Sequence, residues 1–158
     1  MGHNRRFDDG EVRAWRHFLL AHTRVLSRLD ADLVADCDMT LAEFEVLSHL
    51  AEAPERQLRM NELAELARLS PSGLTRRFDA LARRGWVARA RCDDDRRGVL
   101  AQLSDDGFDA FAAATPVHDR GVRDYFLDVL DPTSVPVMAD MMGALADANA
   151  PDASLARV

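Results

Sequence analysis

The chain has 158 residues, of which 47% are hydrophobic and 30% charged, with a formal net charge of −7. This composition is that of a globular protein large enough for one domain and a smaller lobe. No stretch approaches the roughly 20 apolar residues of a membrane-spanning helix, and no apolar run follows the N-terminal arginines. We therefore expect a cytoplasmic protein that has no membrane partner.

Charge is unevenly distributed along the chain. Residues 68–97 contain nine arginines and four aspartates, a net charge of +5, which leaves −12 for the remainder. A basic segment on an acidic body is typical of a protein that binds a polyanion through one face. The distribution therefore favours a local contact with nucleic acid.

The first predicted helix begins at Asp8 or Asp9, either of which can cap it, and runs to about residue 35. Its seam residues recur at spacings of three and four, and they are Val12, Trp15, Leu19, His22, Leu26, Leu29 and Leu33. A seam sustained over three heptads is typical of a helix that packs along a partner helix. One small lobe cannot cover such a helix, so we assign residues 8–37 to dimerisation with a second copy of the chain.

Three short helices are predicted next. Thr40 and Glu43 form a capping box for the first, and Asn61 is predicted to cap the second. Ser70 and Pro71 begin the third. The predicted inward residues of the second helix are Leu63, Ala64, Leu66 and Ala67.

Two strands, 86–91 and 99–103, follow as a hairpin with a charged tip. Residues 105–148 are predicted to form helices that share in dimerisation, and residues 149–158 a frayed tail. The predicted fold class is mainly α with a small β-hairpin wing. It consists of a winged helix-turn-helix lobe, residues 38–104, and a helical dimerisation region.

In a helix-turn-helix, the second helix enters the major groove of DNA with its N-terminal residues near the bases. Guanidinium groups can hold guanine O6 and N7 with two bonds, and hydroxyl groups suit phosphates or thymine methyls. Arginines of the hairpin tip are long enough to enter a narrow minor groove. The predicted contacts with double-stranded DNA are Asn61, Ser70, Ser72, Gly73, Thr75, Arg76, Arg77, Arg96 and Arg97.

Several short motifs stand in a recognisable order. They are Leu63-Ala64, Ser70, Thr75, Leu81, Arg84-Gly85-Trp86-Val87, Asp95-Arg96-Arg97-Gly98, and Leu103-Ser104 before Gly107. Together they resemble the multiple-antibiotic-resistance regulator (MarR) family over roughly residues 10–148. The resemblance implies a homodimer joined through the first and last two helices, with Arg97 in the minor groove and Asp95 shaping the wing. It also implies a repressor that a small aromatic or phenolic effector releases from DNA.

Aromatic and histidine side chains on the predicted dimerisation helices have spacings compatible with an effector site. The candidate residues are Trp15, Phe18, His22 and His118. The same residues suit the core of a dimer, which we prefer for the two histidines. A pH switch is a third alternative, because histidine titrates near neutrality.

Other chemistry has less support. Three adjacent carboxylates, Asp93 to Asp95, suit a hard cation by composition, but adjacent residues on a hairpin tip diverge, and pairing with arginine is favoured. Cys92 beside Arg91 suits an oxidation sensor. The hydroperoxide-sensing members of the family, however, have their reactive cysteine early in the first helix, where this chain has none. We predict neither a metal site nor a cofactor.

Catalytic motifs are absent from the sequence, which has no GxSxG, Walker, Rossmann-glycine or HExxH pattern. We therefore expect no enzyme activity. A second hypothesis is a winged helix whose basic face binds an acidic protein. The wing arginines favour DNA over that alternative.

Overall fold

The computed structural model describes residues 6–91 and 99–150. The elements in chain order are α1 Asp9–Cys37, α2 Leu41–Glu52, β1 Gln57–Arg59, α3 Met60–Leu66, α4 Pro71–Arg83, β2 Val87–Arg91, β3 Val99–Leu103, α5 Asp105–Val122 and α6 Ser134–Ala148. A π-helical turn, Arg123–Leu127, follows α5. The predicted class, mainly helical with a small β-hairpin, is confirmed. The predictions for the hairpin tip, Cys92 and Asp93 to Arg97, and for the end of the tail lie outside the described residues.

The first helix begins where its capping residues predict. Asp8 Oδ1 accepts a hydrogen bond from the Glu11 backbone N–H at 2.9 Å, and Glu11 Oε2 accepts one from the Asp8 N–H at 2.8 Å. The helix ends at Asp38, which adopts the left-handed conformation with φ 50°. Leu29 and Leu33 are buried, whereas the first half of the predicted seam is exposed apart from the half-buried Val12. α1 therefore belongs to the lobe at one end and projects from it at the other.

The hydrophobic core lies within the lobe, between α2, α3, α4, the sheet and the second half of α1. Its largest fully buried side chains are Phe78, Leu33, Met39, Leu47, Leu50, Leu63, Leu74, Leu81 and Val46. The capping box of Thr40 and Glu43 begins α2 as predicted. Leu63, which was predicted to face inward, is therefore part of this core.

Two details predicted for the second helix of the lobe are wrong. Asn61 does not cap α3, because the helix begins at Met60 and the backbone N–H of Arg59 donates to Glu62 Oε2 at 3.0 Å. Asn61 therefore lies inside the first turn. Leu66 does not face inward but is 49% exposed. It lies about 100° around the helix from the inward face that Leu63, Ala64 and Ala67 occupy.

The sheet has three antiparallel strands in the order β1-β3-β2. β2 and β3 form the predicted hairpin, with Arg89 opposite Ala101. β1 adds to the other edge of β3, with Leu58 also opposite Ala101. The sheet thus joins the segment before α3 to the wing. Within the described ranges, no helix combines the length and the hydropathy needed to cross a bilayer.

The end of α4 and the start of α5 are held together by one turn. Gly85, with φ 77°, donates its N–H to Ala82 O at 3.0 Å, and the Trp86 N–H bonds Leu81 O at 3.1 Å. These two bonds close α4 with a Schellman motif. Ser104, the N-cap of α5, donates from Oγ to Gly85 O at 2.7 Å. α4 therefore has a fixed position relative to the helix that follows the wing.

Gly107 allows this close approach of α5 to the turn. A Cβ atom at this position would lie 2.1 Å from Trp86 O, which is a backbone atom that cannot rotate away. We expect Gly107→Ala to lower the free energy of unfolding by about 1–3 kcal/mol, as measured by urea denaturation.

Gly143→Ala is the matched control for Gly107→Ala. No atom of the described chain lies within 4 Å of a Cβ at position 143. Position 143 is also on the opposite side of α6 from Met141 and Leu145. In this control the free energy of unfolding should rise by about 0.5–1 kcal/mol, because alanine has a higher helix propensity than glycine. Equal stability of the two variants would show that the packing of α5 on the turn is assigned wrongly.

Candidate nucleic-acid interface

The N-terminus of α4 is built by its own sequence. Ser70 caps the helix, and its Oγ accepts a hydrogen bond from the Gly73 N–H at 3.1 Å. Pro71 occupies the first turn, where its missing N–H costs nothing. Thr75 Oγ1 donates to Pro71 O at 2.9 Å. Leu74 faces the core, so the polar residues of the first two turns face outward.

The structure brings the predicted residues of α4 together on one face. Ser70, Ser72, Thr75 and Arg76 are exposed, and Gly73 and Arg77 are half-buried. Ser70 Oγ and Ser72 Oγ lie 3.3 Å apart. Asn61 is also exposed, but it belongs to α3. The outward face of α4 therefore carries hydroxyl groups at its N-terminus and guanidinium groups one turn later.

The two adjacent arginines of α4 differ in their surroundings. The side chain of Arg76 is exposed, whereas Nε of Arg77 is buried and has no hydrogen-bond partner within residues 6–91 and 99–150. A buried donor that lacks an acceptor costs about 1–3 kcal/mol. Arg76 is therefore the one that can extend freely to a ligand.

Two further arginines, which the sequence did not single out as site residues, flank α4. Arg89 of β2 bonds Asp79 Oδ1 of α4 at 2.7 Å and thus ties the wing strand to this helix. Arg68, in the turn before α4, adopts the left-handed conformation with φ 53°. Its side chain is 84% exposed and lies 4.0 Å from Glu45. The count of arginines in residues 68–97 was the only signal for either residue.

The four residues predicted for an effector site are not all brought together. The rings of Trp15 and Phe18 stack with centroids 5.9 Å apart, and Phe18 lies 6.2 Å from His22. His118 lies elsewhere, with its ring stacked on Phe44 of α2 at 4.5 Å. His118 therefore occupies the contact between α5 and the lobe.

Phe18 and His22 line an apolar pocket of about 510 Å³ between α1, the π turn and α6. The other lining residues are His17, Ala21, Val25, Leu26, Phe126, Met138 and Met142. The two imidazole side chains are the only titratable groups in this lining. The pocket thus has the apolar wall and few polar groups that are typical of small-molecule sites.

The thiol of Cys37, at the end of α1, is not activated by its surroundings. Burial raises the pKa of Cys37, and the carboxylate of Asp36 raises it further, while Arg120 acts in the opposite direction. Thiolate reactivity requires a lowered pKa. In the parts of the chain that are described, no cluster of His, Cys, Asp and Glu could hold a metal ion.

The chain is similar to known proteins in both sequence and structure. A model of the MarR family matches residues 38–98. Sco3205, a MarR family transcriptional regulator from Streptomyces coelicolor, is 33% identical, and the alignment covers 94% of each chain with a TM-score of 0.88. The chain belongs to the MarR family. AbsC, a MarR family regulator from the same organism, is 28% identical and aligns with a TM-score of 0.85 over 91% of this chain and 97% of its own.

Two curated relatives match over shorter stretches. PecS, a transcriptional regulator of Dickeya dadantii, is 31% identical over 98 residues, which are 61% of this chain and 56% of PecS. The multiple antibiotic resistance protein MarR of Escherichia coli is 34% identical over 80 residues, which are 51% of this chain and 54% of that protein. The matches thus span about half the length of each curated relative. Members of the MarR family are transcriptional regulators and not enzymes. As a member of this family, the protein is a transcriptional regulator.

The hydroxyl groups of Ser70 and Ser72 have separable roles. Ser70→Ala removes the N-cap of α4 and should lower the free energy of unfolding by about 1 kcal/mol. Ser72→Ala, the control, removes an exposed hydroxyl and should change it by less than about 0.5 kcal/mol. Thermal and urea denaturation of both variants measure the difference. A loss in Ser72→Ala as large as that in Ser70→Ala would contradict the capping assignment.

Proposed function

We propose that this regulator is a cytoplasmic repressor that binds a pseudo-palindromic operator as a homodimer and leaves DNA when a small effector binds. The observation that carries the proposal is the outward face of α4. This face presents hydroxyl groups at the helix N-terminus and an exposed Arg76 one turn later. It lies within residues 68–97, whose net charge of +5 contrasts with −12 for the rest of the chain.

The partner that fits this face is double-stranded DNA. An α-helix with polar residues at its N-terminus fits the width of the major groove, where Arg76 can bond guanine. Sco3205 was crystallised in complex with DNA and matches this chain over nearly its whole length. In the proposed complex, Ser70 and Ser72 contact phosphates, and Arg96 and Arg97 of the wing enter the minor groove.

A homodimer is supported by the apolar surface that the single chain leaves uncovered. Trp15 is 61% exposed on α1, and Val137 and Met141 are each 58% exposed on α6. No residue of α6 is buried by the described part of the chain. Large apolar side chains left exposed on two helices are typical of an interface, and most soluble oligomers are symmetric dimers. We therefore propose that residues 8–37 and 105–148 form the dimer and residues 38–104 the DNA-binding lobe.

The effector part of the proposal is supported by the pocket that Phe18 and His22 line. Its volume of about 510 Å³ suits a small molecule, and aromatic and imidazole groups suit an aromatic or phenolic one. Trp15 stacks on Phe18 at the side of this pocket, and His118 sits where α5 meets the lobe. Simple phenols and aromatic carboxylic acids are suitable probes. If none of them releases the protein from DNA, the effector part of the proposal is contradicted.

Binding to DNA fragments from upstream of the protein's own gene, followed by fluorescence anisotropy, tests the proposed function. A dimer that makes roughly 6–10 phosphate contacts should show a slope of log affinity against log salt of about −5 to −9. Arg76→Ala should weaken binding to the bound fragment by about tenfold to a hundredfold, because a bidentate base contact contributes about 1–3 kcal/mol.

Arg83→Ala is the matched control, because it removes the same charge from the exposed C-terminal end of the same helix. It should leave the affinity within about twofold of that of the parent protein. Equal affinities of the two variants would show that Arg76 does not contact bases. Binding that does not depend on salt, or a single-chain mass by light scattering, would contradict the proposal as a whole.

A further inference from the structure

The C-terminal end of α1 carries negative charge, and no basic residue of the same helix turn neutralises it. Asp36 and Asp38 are acidic, and the last turn has no basic residue. Negative charge at this end opposes the helix dipole, which favours cations there. The cations come from distant parts of the chain. Arg120 of α5 bonds Asp36 Oδ2 at 2.9 Å, and Arg84 bonds Asp38.

Arg84 makes three contacts that hold its guanidinium group in one orientation. Nη1 donates to the backbone oxygen of Asp38 at 2.5 Å, and Nη2 to Asp38 Oδ2 at 3.3 Å. The guanidinium carbon also lies 3.6 Å from the centre of the Trp86 ring. A planar group held by two acceptor oxygens and a ring face is more restricted than an ordinary surface arginine.

These contacts join two helix ends. Arg84 is the C-cap of the recognition helix α4, and Asp38 is the C-cap of α1. Arg83, the preceding residue, is exposed, and its side chain makes no ion pair or hydrogen bond with the described residues. The link between the two helices is therefore specific to Arg84 and is not a general property of the basic end of α4.

We propose that Arg84 is a positioning residue that fixes the direction of α4 relative to α1 and thereby sets the half-site spacing that the dimer reads. α1 carries the proposed dimer surface on its first half, so its angle to α4 determines how far apart two recognition helices lie. The inference rests on the proposed function, because half-site spacing has a meaning only for a dimer on DNA.

A phosphate contact is the alternative role for this arginine, and the two roles differ in measurable ways. Losing a phosphate contact weakens binding about equally at every site and makes the salt slope less steep by about 1. Losing a positioning contact changes the preference between spacings and leaves the salt slope unchanged.

The experiment uses duplexes in which the two halves of the bound fragment are set about 9, 10, 11 or 12 base pairs apart. The unaltered protein should prefer one spacing over its neighbours by about tenfold. Arg84→Ala should reduce this preference to about threefold or less, with no change in salt slope. Arg84→Lys, which keeps the charge, should recover part of the preference, and Arg83→Ala should behave like the unaltered protein.

Each remaining outcome contradicts one identifiable claim. If the unaltered protein binds no duplex, the proposed function fails. If it binds without a spacing preference, or if Arg84→Ala keeps that preference or weakens binding uniformly with a smaller salt slope, the positioning role is overturned.

Asp38→Asn keeps the test decisive if Arg84→Ala does not fold. Asparagine tolerates the left-handed conformation of position 38 and leaves the backbone acceptor in place, so only the carboxylate is lost. This variant should reduce the spacing preference in the same direction but by less. If folded Asp38→Asn and Arg84→Lys proteins both keep the full spacing preference of the unaltered protein, the proposal is overturned.

Discussion

Carboxylates on the second half of α1 hold the helices around it. Asp30 Oδ1 accepts the first N–H of α2, that of Leu41, at 2.8 Å, and Asp32 Oδ2 accepts the hydroxyl of Tyr125 in the π turn at 2.6 Å. The hydrogen bond to Asp32 and burial raise the pKa of Tyr125, so its hydroxyl stays a donor. Asp36 and the C-cap residue Asp38 bond Arg120 of α5 and Arg84 at the end of α4. Four acidic groups in or directly after α1 therefore contact four other parts of the chain.

This arrangement makes α1 part of both regions of the protein. Its second half contributes Leu29 to the core of the lobe, and Gly121 of α5 packs so closely on Leu29 that a Cβ there would lie 2.6 Å from Cδ2. Its first half carries the exposed seam that we propose for dimerisation. In the proposed dimer, a displacement at this surface would reach α4 through a continuous helix, and the proposed pocket lies beside that helix.

The sequence predicted most of what depends on neighbouring residues, although the cap at Asn61 was wrong, and it missed what depends on distant ones. The caps at Thr40, Ser70 and Gly85 are local, and each is confirmed. No local pattern indicates the contacts of Arg84, because its partner Asp38 lies 46 positions away at the end of α1. His118 and His22 have compatible spacings on their helices, but the stacking of His118 on Phe44 is a long-range contact. The residues of α4 that were predicted to contact DNA share one outward face, and the local cap at Ser70 fixes where that helix begins.

The central claim is that the two recognition helices are held at one separation by rigid connections to a shared dimer surface. The most direct test is a pulsed electron paramagnetic resonance distance between spin labels at position 83, with Cys37 and Cys92 replaced by serine. The DNA-bound protein should give a single narrow distribution, on the order of the 34–36 Å repeat of the duplex. The absence of a dipolar signal, or a broad distribution from lobes that move independently, would contradict the claim.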